Sequence, residues 1–346
     1  MRMKRRTLWI LVVTLLMVGC APPALPAPPE ALTAPAQEQT EDVPEPGHTP
    51  VDINVGGLRG PTGMALVGMA GAARGGQARH NYNVTFHPAP DVVQSRLING
   101  ELDIAALPTN LAALLHNRTD GEITMIAMSR MSVLYILQAP GEDIQTLEDL
   151  RGRTLLTAGQ GSMQEHVMNF LLGQAGIDPQ TDIDIDFQAE HPLVVALMLD
   201  GRAPAALLPQ PFVTTLMAQN PEFTRALSID DEWAAATGGI ELAMSCIVVR
   251  TDFLEGNPQA VRDFLEDFAA SIDFAVNQPE QAAEMIGEFE IMPQQIALAA
   301  LPHSAIASVT GPEMKAAVLA YLAVLYQQNP ASVGGALPDE SFFFLP

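Results

Sequence analysis

Ser95–Leu115 reads SRLINGELDIAALPTNLAALL, and Ala196–Leu216 reads ALMLDGRAPAALLPQPFVTTL. Each carries a large apolar residue three positions before a glycine (Leu97 and Gly100, Met198 and Gly201), then Ala-x-Leu-Pro at Ala105–Pro108 and Ala206–Pro209. An apolar helical run follows both, and the copies lie 101 residues apart. A second pair sits upstream. Val55–Met64 (VGGLRGPTGM) and Leu156–Met163 (LTAGQGSM) both read as a strand entering a Gly-rich turn that opens a helix, and Met64 and Met163 are 99 residues apart. Ala-, Leu- and Gly-rich segments resemble one another by chance, but two echoes at nearly one spacing point to two lobes built on one plan.

The flanking sequence keeps the same rhythm. Val51–Val55 precedes a helix from about Thr62, Val84–Phe86 precedes a helix over Asp91–Asn99, and Ile104–Leu107 precedes a helix to about His116. Alternation of short apolar runs with helical segments is the signature of an α/β sheet covered by helices. In open α/β sheets, small molecules bind beyond the carboxyl ends of the strands, where loops and helix amino-termini face a crevice. Two such lobes facing each other would gather four turns at one cleft: Leu58–Thr62, Pro108–Asn110, Gly159–Ser162 and Pro209–Phe212. Thr62, Thr109, Asn110, Ser162 and Gln210 supply hydroxyl and amide groups there, and Arg59 is the one strongly basic residue among them. An arginine beside helix amino-termini can grip a sulfonate, phosphate or carboxylate; it can equally pair with one of the 40 acidic residues. Tyr135, Glu190, His191 and Phe212 fall at or just after strand ends and could stack on or hydrogen-bond an aromatic, nitrogen-rich ligand.

The rest of the chain reads as scaffold. Asn257-Pro258 opens a helix whose Val261, Phe264, Leu265, Phe268, Ile272 and Ala275 share one face, and Thr310-x-x-Glu313 has the form of a capping box before Val318, Leu319, Leu322 and Leu325.

With 346 residues, 48% hydrophobic and 16% charged, the chain can build the cores of two lobes and is no disordered segment. Its net charge of −23 and the lack of any basic cluster after residue 6 exclude nucleic acid as a partner. Seven histidines are spread without HExxH or CxxC spacing, so no metal site or cofactor is expected, and Gly159-Gln160-Gly161-Ser162 is neither a GxSxG elbow nor a P-loop. Nothing in these patterns compels an enzyme.

At the amino-terminus, four basic residues among positions 2–6 precede an apolar run from Leu8 to Val18, which reads as a secretion signal over residues 1–19. The run is shorter than the roughly 20 apolar residues of a membrane span. Met17-Val18-Gly19-Cys20 resembles the lipobox of bacterial lipoproteins, in which the chain is cut before the cysteine and the thiol is lipidated. Residues 21–50 hold nine prolines, five acids and no Lys or Arg, the composition of an extended linker, so residues 20–50 form a lipidated tether. With Cys20 lipidated, Cys246 has no partner for a disulfide.

Together with these features, LRGPTGMALVGMA at 58–70, NGELDIAALPTNLAALLHNRT at 99–119, LPQPFVTTLMAQNP at 208–221 and NPASVGGALPDESFF at 329–343 resemble solute-binding lipoproteins of ABC importers. The branch that they resemble is that of nitrate, sulfonate, taurine and thiamine precursors. The resemblance implies a type II periplasmic-binding fold, with two α/β lobes joined by two crossovers and a ligand cleft between the lobes. The crossings are expected near Leu137–Glu142 and Ile240–Ile247, making lobe one residues 51–140 plus 242–346 and lobe two residues 141–241. It also implies that Leu58, Arg59, Gly60, Pro61 and Thr62, with Thr109, Asn110, Gly159, Gln160, Gly161, Ser162, Gln210 and Phe212, form the cleft loops. The expected protein is an exported monomer, lipid-anchored to the outer face of the bacterial membrane or periplasmic. It captures a small solute by hinge closure and delivers it to an ABC permease and its ATPase, with no catalytic residue. An enzyme of the thiamine-pyrimidine kind on the same fold, and an extracytoplasmic sensor, are the alternative readings.

Overall fold

The computed structural model describes residues 49–130, 134–304 and 306–346; the expected signal, Cys20 and nearly all of the proline-rich tether lie outside them. In chain order the first part comprises β1 (Asp52–Leu58), α1 (Pro61–Met64), α2 (Val67–Arg74), β2 (Asn81–His87), α3 (Pro90–Ile98), β3 (Ile104–Pro108), α4 (Thr109–Arg118) and β4 (Ile123–Arg130). The second part holds β5 (Leu134–Gln138), β6 (Thr154–Ala158), α5 (Met163–Gln174), β7 (Asp184–Gln188), α6 (His191–Leu199), β8 (Ala205–Pro209), α7 (Phe212–Gln219), β9 (Thr224–Ser228) and α8 (Ile229–Thr237). The chain then returns through β10 (Ser245–Arg250), α9 (Thr251–Gly256), α10 (Pro258–Asn277), α11 (Pro279–Glu288), α12 (Gln294–Ala300), β11 (Ala307–Val309) and α13 (Gly311–Gln328).

The strands form two sheets, ordered β11-β4-β10-β3-β1-β2 and β7-β6-β8-β5-β9. The echo in the sequence is an echo in topology. β1 lies parallel between β2 and β3, and β6 lies parallel between β7 and β8. β10 runs antiparallel beside β3 in one sheet, as β5 does beside β8 in the other. Each of these antiparallel strands has just arrived from the other sheet, so the two lobes exchange their fourth strand. Gly100 and Gly201, which close the repeated turn after α3 and α6, have φ of +74° and +70°, a left-handed conformation that disfavours a side chain at both points.

The first crossing lies earlier than the sequence suggests. Leu134–Gln138 pairs with β8 and β9, so the passage precedes Leu134 instead of spanning Leu137–Glu142, and residues 134–140 belong with the second sheet. An apolar strand has the same local pattern in either sheet, and only its partners decide its lobe. The return passage lies between Thr237 and Ser245.

Strand alternation buries both faces of the first sheet. Ile104, Ala106, Ile247 and Val249 face Val261, Phe264, Phe268 and Ile272 of α10, which fill the predicted stripe. Ala105, Leu107, Cys246 and Val248 face the opposite way, into a core that includes Val318, Tyr321, Leu322 and Leu325 of α13. That core does not stop at the lobe boundary. α13 packs on α4 and β4 of the first lobe and on α5 of the second, and its Tyr321 meets Trp233 of α8 edge to face at 5.8 Å. The capping box expected at the start of α13 is not made: Thr310 is the N-cap residue but gives no side-chain cap, and Pro312 follows in the first turn.

Candidate functional site

The loops after β1 and β8 meet Pro108 at the end of β3 and the first residues of α5 at a cavity of about 690 Å³ between the two sheets. From the first lobe it is lined by Arg59, Gly60, Thr62, Pro108, Ser129, Met244 and Ser245, with the segment Ile291–Pro293 and Ile296. From the second come Met163, Gln164, Pro209, Gln210, Pro211, Phe212 and Thr215. The size and the mainly apolar wall with a few polar groups are those of a small-molecule site.

Three polar side chains decide its chemistry. Ser129 and Ser245, 2% and 5% exposed, are direct cross-strand neighbours at the ends of β4 and β10. Gln210 is 1% exposed at the end of β8. Its carboxamide is locked by Thr214, whose backbone N–H and hydroxyl donate to Oε1 at 3.3 and 2.8 Å. The hydroxyls of both serines and Nε2 of Gln210 have no hydrogen-bond partner among the described residues. A buried polar atom left unpaired costs about 1–3 kcal/mol, and these three belong to residues that line one cavity.

The four expected turns contribute unequally. In Leu58–Thr62, Arg59, Gly60 and Thr62 reach the cavity, Leu58 is buried in the core, and Pro61 begins α1. The close strand-to-helix turn depends on Gly63, where a Cβ would stand 2.3 Å from the Leu58 carbonyl oxygen. Arg59 is half exposed, and its guanidinium lies 3.6 Å from Glu290, so the pair is well screened by solvent. Pro108 lines the cavity, but Thr109 and Asn110 do not. Thr109 is fully buried with its hydroxyl beside the Cys246 thiol, and the Asn110 amide donates to the Ser332 carbonyl at 3.3 Å. Burial pushes that thiol up to about 12, so Cys246 is an inert core residue at neutral pH.

Gly159, Gln160, Gly161 and Ser162 also stay off the lining, and Met163 and Gln164 stand there instead. In that loop the carboxylate of Glu165 accepts the Gly161 N–H. The turn Pro209–Phe212 is the one that lines the cavity throughout. His191 lies behind it, its ring stacked on Phe212 at 5.1 Å and 13°, with Nε2 3.3 Å from Gln164 Oε1. It therefore orients two lining residues without lining the cavity itself. Burial holds its imidazole below the usual histidine value, so the ring is neutral at neutral pH. Glu190, the exposed N-cap residue of α6, and Tyr135 are not lining residues either. The Tyr135 hydroxyl instead donates to the His303 carbonyl at 3.1 Å, joining the two lobes.

Sequence reasoning missed Ser129, Ser245, Met244 and the 291–296 segment. The serines had a faint signal, each being a small polar residue near one end of a mainly apolar strand (ITMIAMSR and SCIVVR). The 291–296 segment had none, because it reaches the cavity only through the docking of α11 and α12. The Gly60 N–H donates to the Ile291 carbonyl at 3.2 Å and pins that approach. Among the described residues, no group of three His, Cys, Asp or Glu side chains is placed to hold a metal ion, and no helix is long and apolar enough to cross a membrane.

Comparison with known proteins agrees with this architecture. A crystal structure of an ABC transporter from Parabacteroides distasonis superposes with a TM-score of 0.70 at 22% identity, over 84% of this chain and 98% of that one. The periplasmic aliphatic sulphonate binding protein SsuA from Escherichia coli gives 0.70 at 16% identity, covering 86% and 93%. The periplasmic nitrate-binding protein NrtA from Synechocystis PCC 6803 gives 0.57 at 12%, covering 81% and 82%. At these identities the likeness establishes the two-lobed fold. No curated protein matches the chain in sequence. Residues 77–293, more than half of the chain, match the family described as "ABC transporter, phosphonate, periplasmic substrate-binding protein". The matched span runs from the second strand of the first lobe, through all of the second lobe, to the segment that closes the cavity, and the chain belongs to that family of transporter binding proteins, which are not enzymes.

Proposed function

We propose that the protein captures a small solute by closure of its two lobes and delivers it to the permease of an ABC importer, while a lipidated Cys20 holds it at the membrane. The observation that carries this reading is the cavity shared by the two sheets, with Ser129 and Ser245 on one side and Gln210 on the other unpaired and buried. A ligand that satisfies groups from both lobes gains all of them only in the closed form, so it shifts a pre-existing balance toward closure. Relatives in fold bind aliphatic sulphonates and nitrate, and the family name speaks of phosphonates.

The test is a thermal-shift screen of alkanesulfonates, taurine, phosphonates, nitrate, carboxylates, amides and pyrimidine precursors. A solute at 100 times its dissociation constant adds about 2.7 kcal/mol to the native state, which raises the melting midpoint by roughly 5 °C in a chain of this size. A purified, folded protein that no member stabilises would count against the reading. For the anchor, Cys20→Ser should move the protein from the membrane fraction to the soluble one. Retention of the variant on membranes would dismiss the tether.

A further inference from the structure

The wall of the cavity bears on the part of the solute that lies away from its hydrogen-bonding head. The three unpaired polar groups belong to Ser129, Ser245 and Gln210, at or beside the ends of β4, β10 and β8. Elsewhere the wall is of another kind. Met163 opens α5, Phe212 opens α7, Ile296 lies in α12 and Met244 precedes β10, and none of these four lining side chains carries a polar group beyond a thioether. All four are half-buried, so each keeps apolar surface that a bound molecule could cover. α7 and α12 meet, so Phe212 and Ile296 stand on helices of different lobes that touch at the cavity. At about 690 Å³ the space is of the size that holds an organic molecule.

Negative charge is missing from this wall. Among the described residues no Asp or Glu lines the cavity, and the internal residues outside the description are Met131, Ser132, Val133 and Ala305, which carry no carboxylate. The acids of the neighbouring loops are placed otherwise. Glu290 lies 3.6 Å from the Arg59 guanidinium, the Glu165 carboxylate accepts the Gly161 N–H, and Glu190 is the exposed N-cap residue of α6. An ammonium group moved from water onto this wall would give up its hydration with no carboxylate to replace it, which is costly. A hydrocarbon in the same place gains about fourfold in affinity for each methylene fully covered.

Resting on the reading of this cavity as the solute site, we infer that the solute has an apolar body of several carbon atoms with no ammonium group on it, and that Met163, Phe212, Met244 and Ile296 select for that body. The head is free to be an anion or a neutral group, since the wall distinguishes bodies and not heads. An alkyl or aryl phosphonate or sulfonate meets the description, and an aminoalkyl one of the same length does not.

Isosteric probes test this by calorimetric titration of the full chain in nonionic detergent, each run corrected by the same titration into detergent alone. Butane-1-sulfonate is set against 3-aminopropane-1-sulfonate, and butylphosphonate, pentanoate and pentanamide against the partners in which an ammonium group likewise replaces the terminal methyl. Within whichever head binds, the alkyl probe should bind at least about tenfold more tightly than its ammonium partner. Lengthening the alkyl chain from about two to six carbons should raise affinity by about two- to fourfold per methylene. Ile296→Ala should weaken the six-carbon probe by about fivefold more than the two-carbon one. Ile296→Glu, which sets a carboxylate in the wall, should erase or reverse the preference against ammonium, both variants keeping the parent's circular dichroism. An ammonium probe that binds the parent chain as tightly as its alkyl partner would overturn the inference and leave the solute site standing. So would an affinity indifferent to chain length, or a length dependence that Ile296→Ala leaves unchanged. If no probe of any head binds to the folded protein, the solute reading falls and the inference with it.

Discussion

Gln210 and His191 show how single side chains set the character of the cleft. Gln210 is visible in sequence as a polar residue between two prolines after a strand, but which of its ends is left unpaired depends on Thr214, four residues on, which takes Oε1 and leaves Nε2. His191 reads in sequence as a possible ligand contact; in the structure it is a stacked backing for Phe212. Its titration gives a prediction. Burial lowers the folded-state pKa below the ordinary 6.5, so as pH falls through that value the unfolded chain takes up a proton that the native site refuses. Its contribution to stability is therefore complete above about pH 6.5 and declines as pH drops toward the folded pKa. His191→Phe keeps an aromatic ring against Phe212 and removes the titration, so the fall in melting midpoint between about pH 7 and 5 should become shallower. His87 and His303, also held low by burial, keep part of that slope. Superimposable pH profiles for the variant and the parent would show that the ring is not desolvated as described.

At the scale of elements, the repeated α-β-α unit was legible because its cause is local. A left-handed glycine must end α3 and α6, an apolar strand must follow, and a proline must close it; all three leave residue-type signatures at fixed spacing. α10 was equally plain from its apolar stripe, and every residue of that stripe is buried. What failed was decided at a distance. β5 is a strand in any reading, but its membership of the second sheet follows from pairing with β8 and β9, which no window around Leu134 contains. The loop Gly159–Ser162 has the glycines and hydroxyl of a cleft loop, yet Met163 and Gln164 of α5 stand at the cavity in its place. Thr109 and Asn110 have the right chemistry at the right loop, but packing turns them toward Cys246 and the Ser332 carbonyl. The loops of the site could thus be read from local pattern, while the orientation of the side chains within them could not.

For the whole molecule, two kinds of connection between the lobes have different consequences for closure. On one side, α13 shares a core with both lobes, the Trp233–Tyr321 contact lies inside it, and the Gln328 amide donates to the His166 carbonyl at 2.9 Å. Separating the lobes there would expose buried aromatic surface, so in the closure proposed above this seam would be the fixed side. Elsewhere the contacts are lighter: α7 meets α12, and Tyr135 donates to the His303 carbonyl in an exposed position, with Arg225 over the tyrosine ring at 5.6 Å. Such a bond can break without burying or exposing much surface, which is what a reversible latch requires. Tyr135 is not among the residues lining the cavity, so removing its hydroxyl alters the closed form's stability without altering what the solute touches. An exposed hydrogen bond of about 0.5–1.5 kcal/mol corresponds to a two- to tenfold change in the open–closed balance, and the apparent affinity falls by as much when the closed form becomes scarce. Tyr135→Phe should therefore weaken solute binding by about two- to tenfold and enlarge the unliganded protein's radius of gyration in solution scattering, with saturating solute restoring the compact value. Unchanged affinity and an unchanged scattering profile would mean that the bond to His303 does not govern closure, and that the seam along α13 alone sets the relation of the lobes.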